Sequence, residues 1–143
     1  MRLINHTSWK NEELSKFFKA GLTAKGADHT DYIVCASPSR SRKGSDHEET
    51  RAEGWIGEDG KAIHGYAYRS PMIYVRIEGK KVQCHCKRFI RMFLPEGQFD
   101  LKKFAQVFEH EIDHTLGLRH RDMLKSKNLD PVWHEGFTLS QSA

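Results

Sequence analysis

The chain has 143 residues and 16.6 kDa, the size of one ordinary domain, with 38% apolar and 29% charged residues. Its longest apolar stretch, Phe89 to Leu94, is short and broken by Arg91, which excludes a membrane-spanning helix. Three cysteines do not make a disulfide framework, and the opening MRLINHTSWK has no apolar run of a secretory signal. A reduced, cytoplasmic protein is therefore expected, monomeric by default. The net charge is +4. The whole excess lies between Glu78 and Lys103, where Lys80, Lys81, Lys87, Arg88, Arg91, Lys102 and Lys103 outnumber Glu78, Glu96 and Asp100. This 80–103 stretch reads either as a solvated strand pair and helix start or as a patch for an acidic partner or nucleic acid.

In chain order, Arg2 to His6 reads as a short first strand. Thr7 or Ser8 is the expected cap of a helix reaching about Leu22, because Leu14, Phe17, Phe18 and Leu22 recur at helical spacing. Asp31 to Ala36 is a compact apolar run and a candidate buried strand. Ser37 to Gly60 is Ser-, Gly- and charge-rich, with Trp55 and Ile56 as its anchors, and reads as a long loop. Three strand-like segments follow, Ile63 to Tyr68, Met72 to Ile77 and Lys81 to Cys86, the last extending toward Phe93. Glu78-Gly79 is the hairpin turn between the second and third, and Pro71 suits the head of an edge strand. After the loop Leu94 to Phe99, Asp100 is the expected N-cap of a long helix up to Leu116. A tail of 23 residues follows His120. The order of elements predicts a single domain, α+β or mixed α/β, with α+β the reading taken forward.

The chemistry lies on the second long helix. Residues 110 to 120 read His-Glu-Ile-Asp-His-Thr-Leu-Gly-Leu-Arg-His. On a helix, His110 and His114 are four apart and project from one face, close enough for two imidazole nitrogens to hold one ion. Glu111 lies beside that ion, placed to take a proton from water. Gly117 permits a backbone reversal that ends the helix and swings His120 back as a third ligand. Three protein ligands leave one tetrahedral position for water, the pattern of a catalytic zinc. The short H-E-x-x-H arises by chance in about 4% of chains of this composition, whereas adding Gly117 and His120 lowers that to roughly 2 in 10,000, so the long form carries the reading. The helix geometry agrees independently: Leu101, Phe104, Ala105, Phe108, Ile112 and Leu116 share an arc of about 120°, with the two histidines opposite.

His110-Glu111-x-x-His114-x-x-Gly117-x-x-His120 resembles the long zinc signature of the metzincin metallopeptidases. The resemblance implies that His110, His114 and His120 bind Zn2+ and that Glu111 is the general base and acid of peptide-bond hydrolysis on a peptide or protein substrate. It implies a small mixed twisted sheet with an antiparallel edge strand, a backing helix and an active-site helix. On that plan residues 1–117 form an upper subdomain and 118–143 a minimal lower part. Met72 to Ile77 would be the edge strand that pairs with extended substrate. Met123 is the methionine available beneath the metal. No tyrosine follows the motif, which leaves His134 as the substitute oxyanion stabiliser, against its reading as a solvent-exposed tail residue.

Two other readings stay open. A metal-dependent endoribonuclease or RNA-processing factor would use a three-histidine site at this spacing and the basic 80–103 stretch, although that signature generally lacks the glutamate. A non-catalytic zinc-binding module would use the same histidines in a closed site. Cys84-His85-Cys86 reads as buried thiols rather than a ligand cluster, since its cysteines and histidine face opposite ways along a strand. Cys35 reads as packing.

Overall fold

A computed structural model describes residues 1–38, 55–56, 62–63, 65–68, 72–85, 87–94, 97, 99–118 and 131–142. The elements are β1 (Arg2–Asn5), α1 (Asn11–Ala24), a 3-10 turn (His29–Asp31), β2 (Tyr32–Pro38), β3 (Trp55–Ile56), β4 (Ala62–Ile63), β5 (Gly65–Tyr68), β6 (Met72–Ile77), β7 (Lys80–His85), β8 (Arg88–Leu94) and α2 (Leu101–Thr115). The main sheet runs β1-β2-β8-β5. Its first three strands are parallel, with Arg2 opposite Ile33 and Tyr32 opposite Arg88, and β5 closes the other edge antiparallel, Gly65 opposite Met92. Among the described residues, two helices and a three-stranded parallel core make a small α+β fold.

Parallel strands bury both faces, and β2 is buried from Tyr32 through Ser37. Alternation divides the side chains. On one face Tyr32, Val34, Ala36, Ile90, Met92 and Leu94 pack with Leu14, Phe17, Phe18 and Leu22 of α1 and with Phe104, Phe108 and Ile112 of α2. On the other, Ile4, Ile33, Cys35 and Phe89 pack with Cys84, Ile77 and Val82 of the β6–β7 hairpin. Helices cover one face of the sheet and the hairpin covers the other. Cys35 and Cys84 are buried free thiols, as their positions in the sequence imply. Burial pushes the Cys35 thiol up, against the nearby Arg91 charge, so it is not a poised nucleophile.

Several expectations need correction. Helix α1 starts at Asn11 with Lys10 as an N-cap that makes no side-chain bond, rather than at Thr7 or Ser8. Trp9 is buried and its backbone bridges to Gln141, which holds this stretch out of the helix. The Thr7 hydroxyl accepts from Trp9 N–H instead, and Glu12 and Glu13 supply the negative charge that favours a helix start. The segment after Lys81 is not one long strand. β7 ends at His85, and β8 leaves the hairpin to become a central strand between β2 and β5.

The edge strand also changes place. Met72–Ile77 pairs with Lys80–His85 in a separate two-stranded sheet, so β5 is the antiparallel edge of the main sheet. The Glu78-Gly79 turn is where it was expected, with both residues at positive φ. Pro71, Cys86 and nearly all of the expected loop 37–60 lie outside the described residues; Ser37 and Pro38 belong to β2, and Trp55–Ile56 pairs with Ala62–Ile63.

The chain's end is anchored. Trp133, Phe137 and Leu139 pack against the helical side of the core. The Lys10 and Ser142 amides donate to the Ser140 and Ser8 carbonyls, and the Ser140 amide to Glu13. Residues 131–142 thus strap the start of α1 to the rest of the molecule.

Candidate metal centre

Helix α2 begins as its sequence dictates. The Asp100 carboxylate accepts from the Lys102 and Lys103 amides, satisfying two of the donors a helix start leaves open. Phe104, Ala105, Phe108 and Ile112 are fully buried along one stripe. Leu116 breaks the expected stripe: it is the C-cap residue, beyond the last helical turn, and stands 42% exposed.

The helix ends in a Schellman turn, with Leu118 N–H donating to Asp113 carbonyl at 3.0 Å and Gly117 N–H to His114 carbonyl at 3.1 Å. Gly117 adopts φ 91°, a conformation that costs glycine least. This turn brings the Leu118 carbonyl within 3.1 Å of His114 Nδ1. The Nδ1–H therefore donates to a backbone carbonyl, and the lone pair of Nε2 is left pointing outward, the arrangement that orients a metal-binding imidazole.

That lone pair faces His110. The two Nε2 atoms are 3.0 Å apart, with the rings edge to face at 4.6 Å between centroids. Nitrogens this close need a positive centre between them, either a proton on one ring or a metal ion. A tetrahedral ion at about 2.05 Å from each nitrogen would set them about 3.3 Å apart, so the pair fits one with a few tenths of an ångström of adjustment. His110, Glu111 and His114 form a group that can hold a metal ion, their ligand atoms all within 4.8 Å of one another. Both histidines are half-buried and Glu111 is buried.

The surrounding structure fixes α2 at its carboxyl end. Tyr32 and Arg88, register partners at the start of β2 and β8, both reach Thr115. The Thr115 hydroxyl donates to the Ile112 carbonyl at 2.6 Å, so the Tyr32 hydroxyl, 2.6 Å away, is the donor to it. Arg88 Nε donates to the Thr115 carbonyl at 3.0 Å, while its guanidinium pairs with Asp31 at 2.8 Å. On a neighbouring face of α2, Lys25 at the end of α1 pairs with Asp113 at 2.7 Å, both side chains 7% exposed. One turn earlier Trp133 Nε1 donates to Glu109 at 2.7 Å. Burial pushes the Glu109 carboxyl above the ordinary carboxylate range, opposed by the Trp133 hydrogen bond and the Lys25 charge.

Edge strand β5 lies directly against the site. A Cβ added to Gly65 would sit 2.6 Å from the Arg91 carbonyl oxygen, 2.7 Å from Met92 Sδ and 3.3 Å from Glu111 Cγ. The absence of a side chain at residue 65 thus lets the edge strand close on both β8 and the glutamate. Gly65→Ala is expected to destabilise the fold by about 1–3 kcal/mol, read as a lowered denaturant midpoint at unchanged slope.

The structure brings together His110, Glu111 and His114 of the residues singled out from the sequence. His120 and Met123 lie outside the described residues. His134 does not belong to the metal-holding group among the described residues; it sits beside Trp133, with a buried Nδ1 rather than a solvent-exposed ring. The basic stretch is dispersed: Arg88 and Arg91 are spent on Asp31, Thr115 and Ser37, while Lys102 and Lys103 lie at the far end of α2 from His114. Sequence reading missed Gly65, the Lys25–Asp113 pair and the Trp133–Glu109 contact. Trp133, Phe137 and Leu139, closely spaced in the last part of the chain, are the available signal for the last. No helix is long and apolar enough to cross a membrane among the described residues. No protein-family model matches the chain, and neither a curated protein nor a solved structure matches it.

Proposed function

We propose that the chain is a zinc-dependent endopeptidase, with His110, His114 and His120 as the metal ligands and Glu111 as the general base and acid, on the plan of a minimal metzincin. The observation that carries this reading is the convergence of His110 and His114 Nε2 at 3.0 Å, with the His114 ring held by the Leu118 carbonyl. Bound there, zinc would supply a Lewis acid that polarises a carbonyl and makes water a nucleophile at neutral pH. The chain's own residues do the remainder. The Glu111 carboxylate takes a proton from the attacking water and delivers it to the leaving amine nitrogen. Its burial against β5 limits its motion and its competing contacts with bulk water. Strand β5, antiparallel at the sheet edge beside Glu111, offers main-chain groups with which an extended peptide can pair, which makes it a better candidate for that task than Met72–Ile77.

Digestion of a peptide library with metal-loaded protein tests the reading. Cleavage is expected with stoichiometric zinc, loss of cleavage on chelation, and recovery when zinc is restored. Unchanged cleavage by metal-free protein would overturn the metal's role, and no cleavage of any peptide or unfolded protein by the zinc-loaded chain would overturn the peptidase.

A further inference from the structure

The β6–β7 hairpin has two dissimilar sides. Ile77, Val82 and Cys84 face the sheet and pack with Ile4, Ile33, Cys35 and Phe89. Alternation then sets Tyr74, Lys81 and Gln83 on the outer side. The exposures agree: Tyr74 is 53% exposed, one of the few large apolar side chains so open among the described residues, and Lys81 and Gln83 are exposed. Tyr74 is the register partner of Gln83, and Lys81 is the partner of Arg76. The Lys81 ammonium lies 5.0 Å from the centre of the Tyr74 ring, a diagonal cation–π contact across the strands. From residue 72 to 87 the chain has four Lys/Arg against a single acid, Glu78 at the turn.

We propose that this outer face binds single-stranded nucleic acid. An exposed aromatic ring presents a surface on which a base can stack. Cations on the same strands follow the phosphates, and the Gln83 amide can both donate to and accept from a base edge. An acidic protein would use Lys81 but would have no need of an open ring between it and an amide. Nothing in this assignment depends on the metal centre, which lies on another element and is untouched by the substitutions below.

The test is fluorescence anisotropy of labelled 12-nucleotide oligo(U) and oligo(dT) with the full chain, across a salt series. Saturable binding at low salt is expected, weakening as salt rises. Tyr74→Ala should weaken it about 5- to 100-fold by removing a stacked base, while Tyr74→Phe, which keeps the ring, should stay within about twofold. Lys81→Gln should flatten the slope of log K against log salt by about 0.7, the contribution of one phosphate contact on a single strand. Preference for oligo(U) would identify RNA, and equal affinity any single strand; both support the assignment. Absence of saturable binding to either oligonucleotide would overturn it, as would affinity unchanged in both the Tyr74→Ala and the Lys81→Gln variants. A polyglutamate probe that binds as tightly and is lost in the same variants would give the face to an acidic protein instead. Circular dichroism of each variant confirms that these exposed substitutions leave the fold intact.

Discussion

Glu111→Gln is expected to reduce peptide hydrolysis by about 10²- to 10⁴-fold, the usual contribution of a positioned general base, or roughly 3–5 kcal/mol of barrier. The substitution keeps the size and shape of the side chain, so its fit between α2 and Gly65 survives. Glutamine cannot accept the proton of the attacking water. The important second measurement is metal content, because the Glu111 carboxylate lies within 4.8 Å of the histidine ligand atoms and two roles are open to it. A base leaves the zinc stoichiometry and affinity unchanged on substitution. A ligand takes much of the affinity with it. Activity lost with zinc retained supports the proposed mechanism; zinc lost with activity would make Glu111 a ligand; full activity would remove it from the chemistry.

The site was legible where its chemistry is local. The spacing of His110 and His114, the helix start at Asp100 and the reversal at Gly117 each depend on residues within one turn of each other, and the structure contains all three. Positions decided by distant partners were not legible. Strand β8 reads locally as the continuation of β7, yet pairing with β2 over seven residues draws it into the sheet centre. That choice moves the sheet edge from β6 to β5 and puts Gly65 against Glu111. The start of α1 differs for the same kind of reason: Thr7 and Ser8 are good caps, but Trp9, its ring buried on Phe99 and its backbone bridged to Gln141, keeps those residues out of the helix. Local propensity yields to tertiary packing at both places.

Lys25→Met is expected to destabilise the protein by about 3–5 kcal/mol, because it leaves the Asp113 carboxylate buried and without its cation. The pair is short, at 2.7 Å, and nearly sealed from water, so neither screening nor solvent can compensate. Lys25→Met combined with Asp113→Leu removes both charges and is expected to recover most of the loss, since a buried pair contributes little net stability against apolar residues of similar volume. Urea unfolding of the wild type, both single variants and the double variant closes the cycle. A loss below about 1 kcal/mol for Lys25→Met would mean that the pair opens to water in solution. Asp113 immediately precedes His114, and its main-chain carbonyl, not its carboxylate, accepts from the Leu118 amide in the turn that orients the His114 ring. Shifting the helix end that carries it should therefore loosen the candidate metal centre as well as the fold. Zinc affinity measured under conditions where Lys25→Met remains folded is expected to fall, by the roughly 10- to 100-fold typical of lost outer-shell support. Affinity equal to wild type in the folded Lys25→Met variant would confine the pair to holding α1 on α2, with the histidine geometry set by Tyr32, Arg88 and the Gly117 turn.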